Sequence, residues 1–403
     1  MVDSSPLVSV VIPTRERSAT LVHSIRSALR QNAKSYEVLV SDNASRDATP
    51  ELLAGFDDPR LRYVRTEQRL SMCDNWEFAL RHVRGRYVMY IGDDDAVMPN
   101  GIDRLITLIN GKPSRAYIWP TPIYTWPIDA ERAQATYLPR LSGPRELDLV
   151  RMARFVMRYG GWRYYSIPGV YHSLVERDVL DAIGCRTGRV FRSTQPDLIT
   201  SMSVPAIVAT GVHTGFPVTV HGRSARSNAA SLIAQHGQSR LQRYIDEFGD
   251  YRIHPSLCPD LPLYANLVVD AILLARDAFP AVYSDIPFNY DAMLAFLCRS
   301  GWVSRWFVLA HRGNLRRYHP FNALRFLAYM TFFDAAVLRR SVLNRVPIQG
   351  LKREDIPGEV CEFARQYDDW LGLRGELPTI TRSRGAGGTH PASVSLGPGS
   401  GPH

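Results

Sequence analysis

Ten residues, Arg86-Tyr87-Val88-Met89-Tyr90-Ile91-Gly92-Asp93-Asp94-Asp95, constrain this chain more than any others. The first six are rich in β-branched and aromatic side chains, the composition of a buried strand. They run straight into three consecutive carboxylates, whose mutual repulsion costs stability at the tip of an apolar strand. A hard divalent cation relieves that repulsion, because it needs several oxygen ligands from a compact source. Magnesium or manganese bound in this way completes its shell with water and a substrate phosphate. One reading is therefore a metal–diphosphate site at the carboxyl end of a central strand, where open α/β sheets place their ligands. The other is a solvated acidic loop whose last Asp caps a helix beginning near Pro99. The triplet alone leaves both open.

What precedes the triplet narrows the choice. Leu7 to Ile12 is an apolar run with Ser9 its one polar residue, the pattern of a strand buried on both faces of a parallel sheet. Pro13 ends it, Thr14-Arg15-Glu16-Arg17 forms a polar turn, and Ser18 is placed to cap a helix carrying Leu21, Ile25, Ala28 and Leu29. A second strand over Tyr36–Val40 runs out into Ser41-Asp42-Asn43, and a third covers Leu61–Val64. Helices over Pro50–Phe56 and Cys73–Val83 complete the alternation, which implies right-handed crossovers and a doubly wound, mostly parallel sheet. All parallel strand ends lie on one edge, so Thr14-Arg15-Glu16, Asp42 and the triplet converge on one crevice. Neither G-x-G-x-x-G nor G-x-x-x-x-G-K-[ST] follows the first strand. Phosphate charge must then be met by metal rather than by backbone amides, which disfavours a dinucleotide oxidoreductase or a P-loop NTPase.

In order, V-S-V-V-I-P-T-R, S-D-N-A-S-R-D-A-T and N-W-E-F-A-L-R-H-V-R-G-R-Y-V-M-Y-I-G-D-D-D-A-V-M-P resemble the family 2 glycosyltransferases, over residues 6 to 110. The resemblance implies a GT-A fold, an α/β nucleotide-binding sheet, mixed but mostly parallel, flanked by helices and followed here by a helical C-terminal region. It also implies an inverting enzyme that uses Mn2+ or Mg2+ to move a sugar from a nucleoside diphosphate to a saccharide or lipid-linked acceptor. By motif, Pro13, Thr14, Arg15 and Glu16 would line the nucleotide-sugar, Asp42 would bind the base, and Asn75 would stand beside the donor. Asp93, Asp94 and Asp95 would hold ribose and the metal-bound diphosphate, with Asp95 and Asp93 as metal ligands. Two positions depart from the pattern: Asn43 replaces a second Asp, and Asp74 replaces a basic residue before Asn75.

Downstream, a strand at Ala116–Trp119 precedes a Pro-, Tyr- and Trp-rich connection, and Asp148–Arg158 has helical periodicity. Ile167–Val175 reads as a strand on which His172 is a structural histidine, and Glu176–Ile183 as a helix closed by Gly184. Asp197 opens a further helix; the resemblance makes it the catalytic base, while a first-turn Asp favoured by the helix dipole is the plain alternative. A late strand at Phe216–Val220 delivers His221, a further metal ligand, and Arg223, a grip on the diphosphate. Solvated loop chemistry competes for both, and is preferred for Arg226.

From Tyr244 onward the strand signals vanish. Between Arg299 and Arg353 stand eleven Lys or Arg and a single acidic residue, Asp334, interleaved with aromatics that include Trp302, Trp306 and Phe332. This pattern suits peripheral membrane contact through residues 299–353, each cation near an anionic surface contributing ~1 kcal/mol. A helical subdomain with a basic solvent face is the alternative, and no nucleic acid is expected because no recognition motif accompanies the charge. This stretch carries much of the net charge of +9. Five scattered cysteines without paired spacing argue for reduced thiols, and no apolar run reaches the roughly 20 residues of a bilayer span. With Asp3, Ser4 and Pro6 where a leader would start, the expected location is cytoplasmic, at the inner face of the cell membrane.

The expected organisation is a GT-A domain over 1–240, with a nucleotide half to about 110 and an acceptor half beyond it. A basic helical region follows over 241–378, then a Gly-, Ser- and Pro-rich disordered tail over 379–403. The expected activity is metal-dependent sugar transfer in surface polysaccharide or glycolipid synthesis. A sugar nucleotidyltransferase, or a non-catalytic membrane-associated protein retaining the fold, are the competing readings.

Overall fold

The computed structural model describes residues 5–127, 133–137, 139, 141–225, 244–249, 251–259, 261, 263–301, 303–318, 320–343 and 356–373. Arg226, Trp302, the basic residues of 344–353 and the tail from 379 lie outside them. The chain begins β1 (Val8–Thr14), α1 (Ser18–Leu29), β2 (Tyr36–Asp42), α2 (Thr49–Ala54), β3 (Leu61–Arg65), α3 (Met72–His82) and β4 (Tyr87–Tyr90). It continues β5 (Ala96–Val97), α4 (Gly101–Gly111), β6 (Ala116–Ile118), β7 (Ile123–Thr125), β8 (Gln134–Tyr137), β9 (Arg145–Asp148) and α5 (Leu149–Arg158). Then come β10 (Ser173–Glu176), α6 (Arg177–Thr187), α7 (Pro196–Ser203), β11 (Thr210–His213) and β12 (Thr219–Arg223). The remaining elements are helical: α8 (Leu263–Ala278), α9 (Pro280–Tyr283), α10 (Tyr290–Arg299), α11 (Arg305–Ala310), α12 (Arg312–Tyr318), α13 (Ala323–Leu343) and α14 (Val360–Leu373).

An eight-stranded sheet runs β3-β2-β1-β4-β10-β6-β11-β9. Its first four strands are parallel, and β10 pairs antiparallel with both β4 and β6. Alternation divides the strands between two cores. Val8, Val10 and Ile12 face one side with α1 and α4, whereas Val11, Val88 and Tyr90 face α3, α5 and α7. The second core runs on without a break into α8, α10 and α13, so much of the helical region shares the sheet's apolar interior. A smaller sheet, β5-β12-β7-β8, folds over the triplet, and α14 returns from the C-terminal side to cover it.

Several local expectations are corrected. Pro13 does not end β1, which continues to Thr14 in register with Asp42. The neighbouring β4 has already stopped at Tyr90, opposite Val11, so the missing N–H at Pro13 removes no ladder bond there. Ser18 is the first helical residue rather than the cap; its amide donates to Asp47 Oδ2 (2.9 Å), a carboxylate from the loop after β2. Asp95 caps no helix, because β5 intervenes and α4 starts after Asn100 in the left-handed region. The expected strand at Ile167–Val175 is only Ser173–Glu176, preceded by a turn in which His172 has φ of +47°. The α6 helix passes through Gly184 and closes instead at Gly188, φ +82°. The late strand starts at Thr219, which puts His221 and Arg223 within it.

Candidate active site

Apolar β4 delivers Asp93, Asp94 and Asp95 into the protein, where all three are buried. Asp93 and Asp94 share one partner, whereas Asp95 has a set of its own. Asp93 Oδ2 accepts from Thr14 Oγ1 (2.7 Å) at the end of β1, and its Oδ1 lies 2.9 Å from Arg17 Nη1. Asp94 Oδ2 lies 2.7 Å from Arg17 Nη2 and accepts from Ser224 Oγ (2.8 Å). One guanidinium thus spans two adjacent carboxylates, the fork geometry that suits arginine. Burial opposes the charge on Arg17, but Asp93 and Asp94 outweigh it and raise its pKa above the ordinary value. Burial, with Asp94 and Asp95 close by, pushes Asp93 up to about 6 against the pull of Arg17 and Thr14.

Asp95 faces the opposite way. Its Oδ1 accepts from the Gly222 amide (2.7 Å), and its Oδ2 from the Gly92 amide (2.5 Å) and Tyr171 Oη (2.7 Å). His172 Nε2 stands 3.2 Å from Oδ2, and His221 Nδ1 stands 3.6 Å from Oδ1. The two imidazole nitrogens are 3.0 Å apart. Burial would raise the Asp95 carboxyl, yet His172, His221 and Tyr171 hold it below the usual carboxylate range. Burial lowers His221 to about 4 despite the Asp95 charge, so at neutral pH carboxylate and imidazole are both in ligand-competent form. Separations near 3 Å are those expected between neighbouring donors of one octahedral ion with bonds of ~2.1 Å. Asp95, His172 and His221 therefore fit a divalent metal, while Asp93 is partnered by Thr14 and Arg17.

Two close approaches make the group possible. A Cβ on Gly222 would sit 1.7 Å from the Asp94 carbonyl oxygen, so only glycine lets β12 pass over the triplet. A Cβ on Gly169 would meet Ser201 Oγ at 2.6 Å, which seats the Tyr171–His172 turn on α7. Trp126 Nε1 donates to the Asp94 carbonyl (2.8 Å) from beyond β7.

The other expected residues lie along the same sheet edge. Asp42 is fully buried, accepting from the Ser45 amide (2.9 Å) and Tyr63 Oη (2.8 Å), with Arg65 Nε at 3.5 Å. Asn43 Oδ1 accepts from the Leu70 amide (2.7 Å), so this departure from the family pattern ties down a loop. Asn75 Oδ1 accepts from Ser41 Oγ (2.9 Å), and Arg15 Nη1 reaches Glu247 (3.0 Å). Glu16, φ +57°, accepts from the Arg46 amide (3.1 Å), and Arg223 is exposed on β12. Asp197 lies in the first turn of α7; burial raises its pKa against the opposing pull of the Leu198 amide and of His172.

Residues 9–166, which hold the β1 end, Asp42 and the acidic triplet, match the family model described as glycosyl transferase family 2. This chain carries a family 2 glycosyltransferase domain. The glycosyltransferase domain is 33% identical over 105 residues to the succinoglycan biosynthesis protein ExoO of Rhizobium meliloti, covering 26% of this chain and 30% of that protein. It is 28% identical over 103 residues to the Escherichia coli protein named UDP-Glc:alpha-D-GlcNAc-diphosphoundecaprenol beta-1,3-glucosyltransferase WfgD, covering 26% and 41%. The match therefore spans less than half the length of these curated relatives. The S. aureus TarS 1-349 structure in complex with UDP-GlcNAc is similar over 82% of this chain and 92% of that one, at 13% identity and TM-score 0.46.

Within the glycosyltransferase domain and its C-terminal neighbourhood, Arg17, Tyr171, His172 and Ser224 join the triplet without having been singled out as site residues. Arg17 shares a turn with Arg15 and was hidden by it. The signal for His172 was its neighbour Tyr171 and the Gly169 upstream, which mark a turn rather than an alternating strand.

Proposed function

We propose that this chain is an inverting glycosyltransferase that moves a sugar from a nucleoside-diphosphate donor to an acceptor hydroxyl, in surface polysaccharide or glycolipid assembly. The observation that carries the proposal is the Asp95–His172–His221 group, set beside Asp93 and Asp94, which share the Arg17 guanidinium. Asp95, His172 and His221 would hold a divalent metal, and two imidazole donors favour Mn2+ over Mg2+, which prefers oxygen. When bound, such an ion neutralises the diphosphate leaving group as a Lewis acid. The Gly222 amide and Tyr171 Oη fix the Asp95 carboxylate, leaving little freedom for it to turn away. Asp42, Thr14, Arg15 and Glu16 form the nucleotide side, with Asn75 behind them and Arg223 on the solvent rim.

Asp197 takes the proton of the acceptor hydroxyl as it attacks, the single-displacement logic of inverting sugar chemistry. Its raised pKa suits the role, because a base gains driving force as its pKa approaches working pH. The lipid-linked acceptor named for WfgD supports a membrane-proximal acceptor here. So do the exposed Arg305, Trp306, Arg312, Arg316 and Leu324 on α11 to α13. Among the described residues no helix is long and apolar enough to cross a membrane, so the contact would be peripheral.

The test is release of nucleoside diphosphate from a panel of nucleotide sugars, with and without Mn2+. Asp95→Ala should lower turnover by about 100-fold or more and remove metal-dependent nucleotide binding while the fold persists. Undiminished release by that variant would end the metal assignment.

A further inference from the structure

A second group of metal-ligating side chains lies away from the triplet, where α14 docks on α1. His23 Nδ1 stands 3.3 Å from Glu359 Oε2, Cys361 Sγ lies 3.5 Å from His23 Nδ1, and Sγ is 3.9 Å from the same Glu359 oxygen. Donors on a tetrahedral zinc ion, with bonds of ~2.0 Å to nitrogen and oxygen and ~2.3 Å to sulfur, stand about 3.3 Å apart for N and O and about 3.5 Å apart when one is sulfur. All three observed edges lie within a few tenths of an ångström of those values. The donor types also suit zinc: one imidazole from α1, one carboxylate from the residue just before α14 and one thiolate from its first turn, with His23 and Glu359 336 residues apart in the chain.

We propose that His23, Glu359 and Cys361 form a zinc site that fastens the C-terminal helix against α1. Glu359 is 56% exposed, so water completes the tetrahedron from the solvent side. Each ligand is held by packing on its inner side. The His23 ring meets Trp126 edge-on at 5.5 Å, and Cys361 is buried in the first turn of α14. Tyr124 Oη donates to the Pro357 carbonyl (2.8 Å), positioning the segment that carries Glu359. Binding displaces the thiol proton of Cys361 to solvent and forms the sulfur–zinc bond, with no change of oxidation state. The consequence reaches the active site through two contacts. Trp126 also donates to Asp94, and Ser24, next to His23, donates to the Asp95 carbonyl (2.6 Å).

Sulfur distinguishes this site from the Asp95 group, which has none. The full chain is stripped with a chelator and titrated with Co2+ and then Zn2+. One equivalent of Co2+ should give a thiolate-to-cobalt charge-transfer band that Zn2+ abolishes. The band should vanish in Cys361→Ser and His23→Gln and survive in Asp95→Ala. No band in the wild type, or a band that survives in Cys361→Ser, overturns the proposal. The unmodified chain offers a second readout: Zn2+ should slow alkylation of Cys361 at least tenfold, with the alkylated residue located by mass spectrometry. Equal alkylation with and without Zn2+ overturns the proposal even if the variants fail to fold.

Discussion

Asp197 illustrates how one side chain couples chemistry to stability. Burial makes its ionised form unfavourable, so its folded pKa lies above the unfolded value. The stability linked to the neutral acid is present at low pH and is lost as pH rises through the raised folded value. Asp197→Asn should therefore raise the thermal midpoint at neutral pH, keep nucleotide binding, and lower kcat by about 100- to 10,000-fold. In the wild type, turnover should fall on acidification at a pH above the ordinary carboxylate range. A kcat unchanged by Asp197→Asn would move the base role elsewhere, and a lowered midpoint would leave Asp197 a structural residue. At Gly222 the expectation is steric. Gly222→Ala sets a methyl against the Asp94 carbonyl, should cost about 1–3 kcal/mol in urea unfolding, and should weaken Mn2+ binding by displacing the Asp95 partner. What could be read at this scale followed composition: Asp42 and the triplet announce themselves as acids ending apolar strands. His172 did not, because Gly169 marks only the turn before it, and its role depends on meeting His221 of β12, a contact that no local pattern encodes.

Strand and helix identity in the first hundred residues followed hydrophobic period closely, because β1, β2 and β4 are buried almost throughout and α1 and α3 each have one apolar face, while β3 at the sheet edge is only partly buried. The ends were harder to read, since they are set by groups distant in sequence. Asp47 holds the first amide of α1, and the stopping point of β4 decides whether Pro13 disturbs the sheet. The return of α14 had no signal in the chain at all. It is anchored by a buried pair in which Arg104 Nη1 and Nη2 contact Asp368 Oδ1 (2.7 Å) and Oδ2 (3.2 Å). Arg104→Ala leaves the Asp368 charge buried without its counter-ion and should cost about 3–5 kcal/mol. Urea denaturation followed by Trp370 and Trp126 fluorescence would measure it, and a loss below ~1 kcal/mol would mean that the pair is effectively solvated.

Over the whole molecule, charge and apolar exposure are gathered on α11 to α13. Trp306 is 75% exposed and Leu324 79%, beside Arg305, Arg316 and Arg317. The chain should therefore float with vesicles containing anionic lipid and be released by salt, since each cation near such a surface adds ~1 kcal/mol that ions screen. Trp306→Ala should reduce the bound fraction, whereas equal binding to neutral vesicles would make the basic face a solvent-exposed surface alone. That surface was legible from composition, but the sharing of its core with the sheet was not, because helix-to-sheet packing leaves no period in the sequence. The docking of α14 on β5, β7 and β12 has a practical corollary for anyone dissecting the protein. Ala96, Met98, Tyr124 and Val220 are sealed by Val360, Phe363 and Tyr367, which come from the far end of the chain. A recombinant fragment ending short of α14 would bare that greasy floor directly beneath the acidic loop, inviting clumping and proteolytic nicking where catalysis needs rigidity.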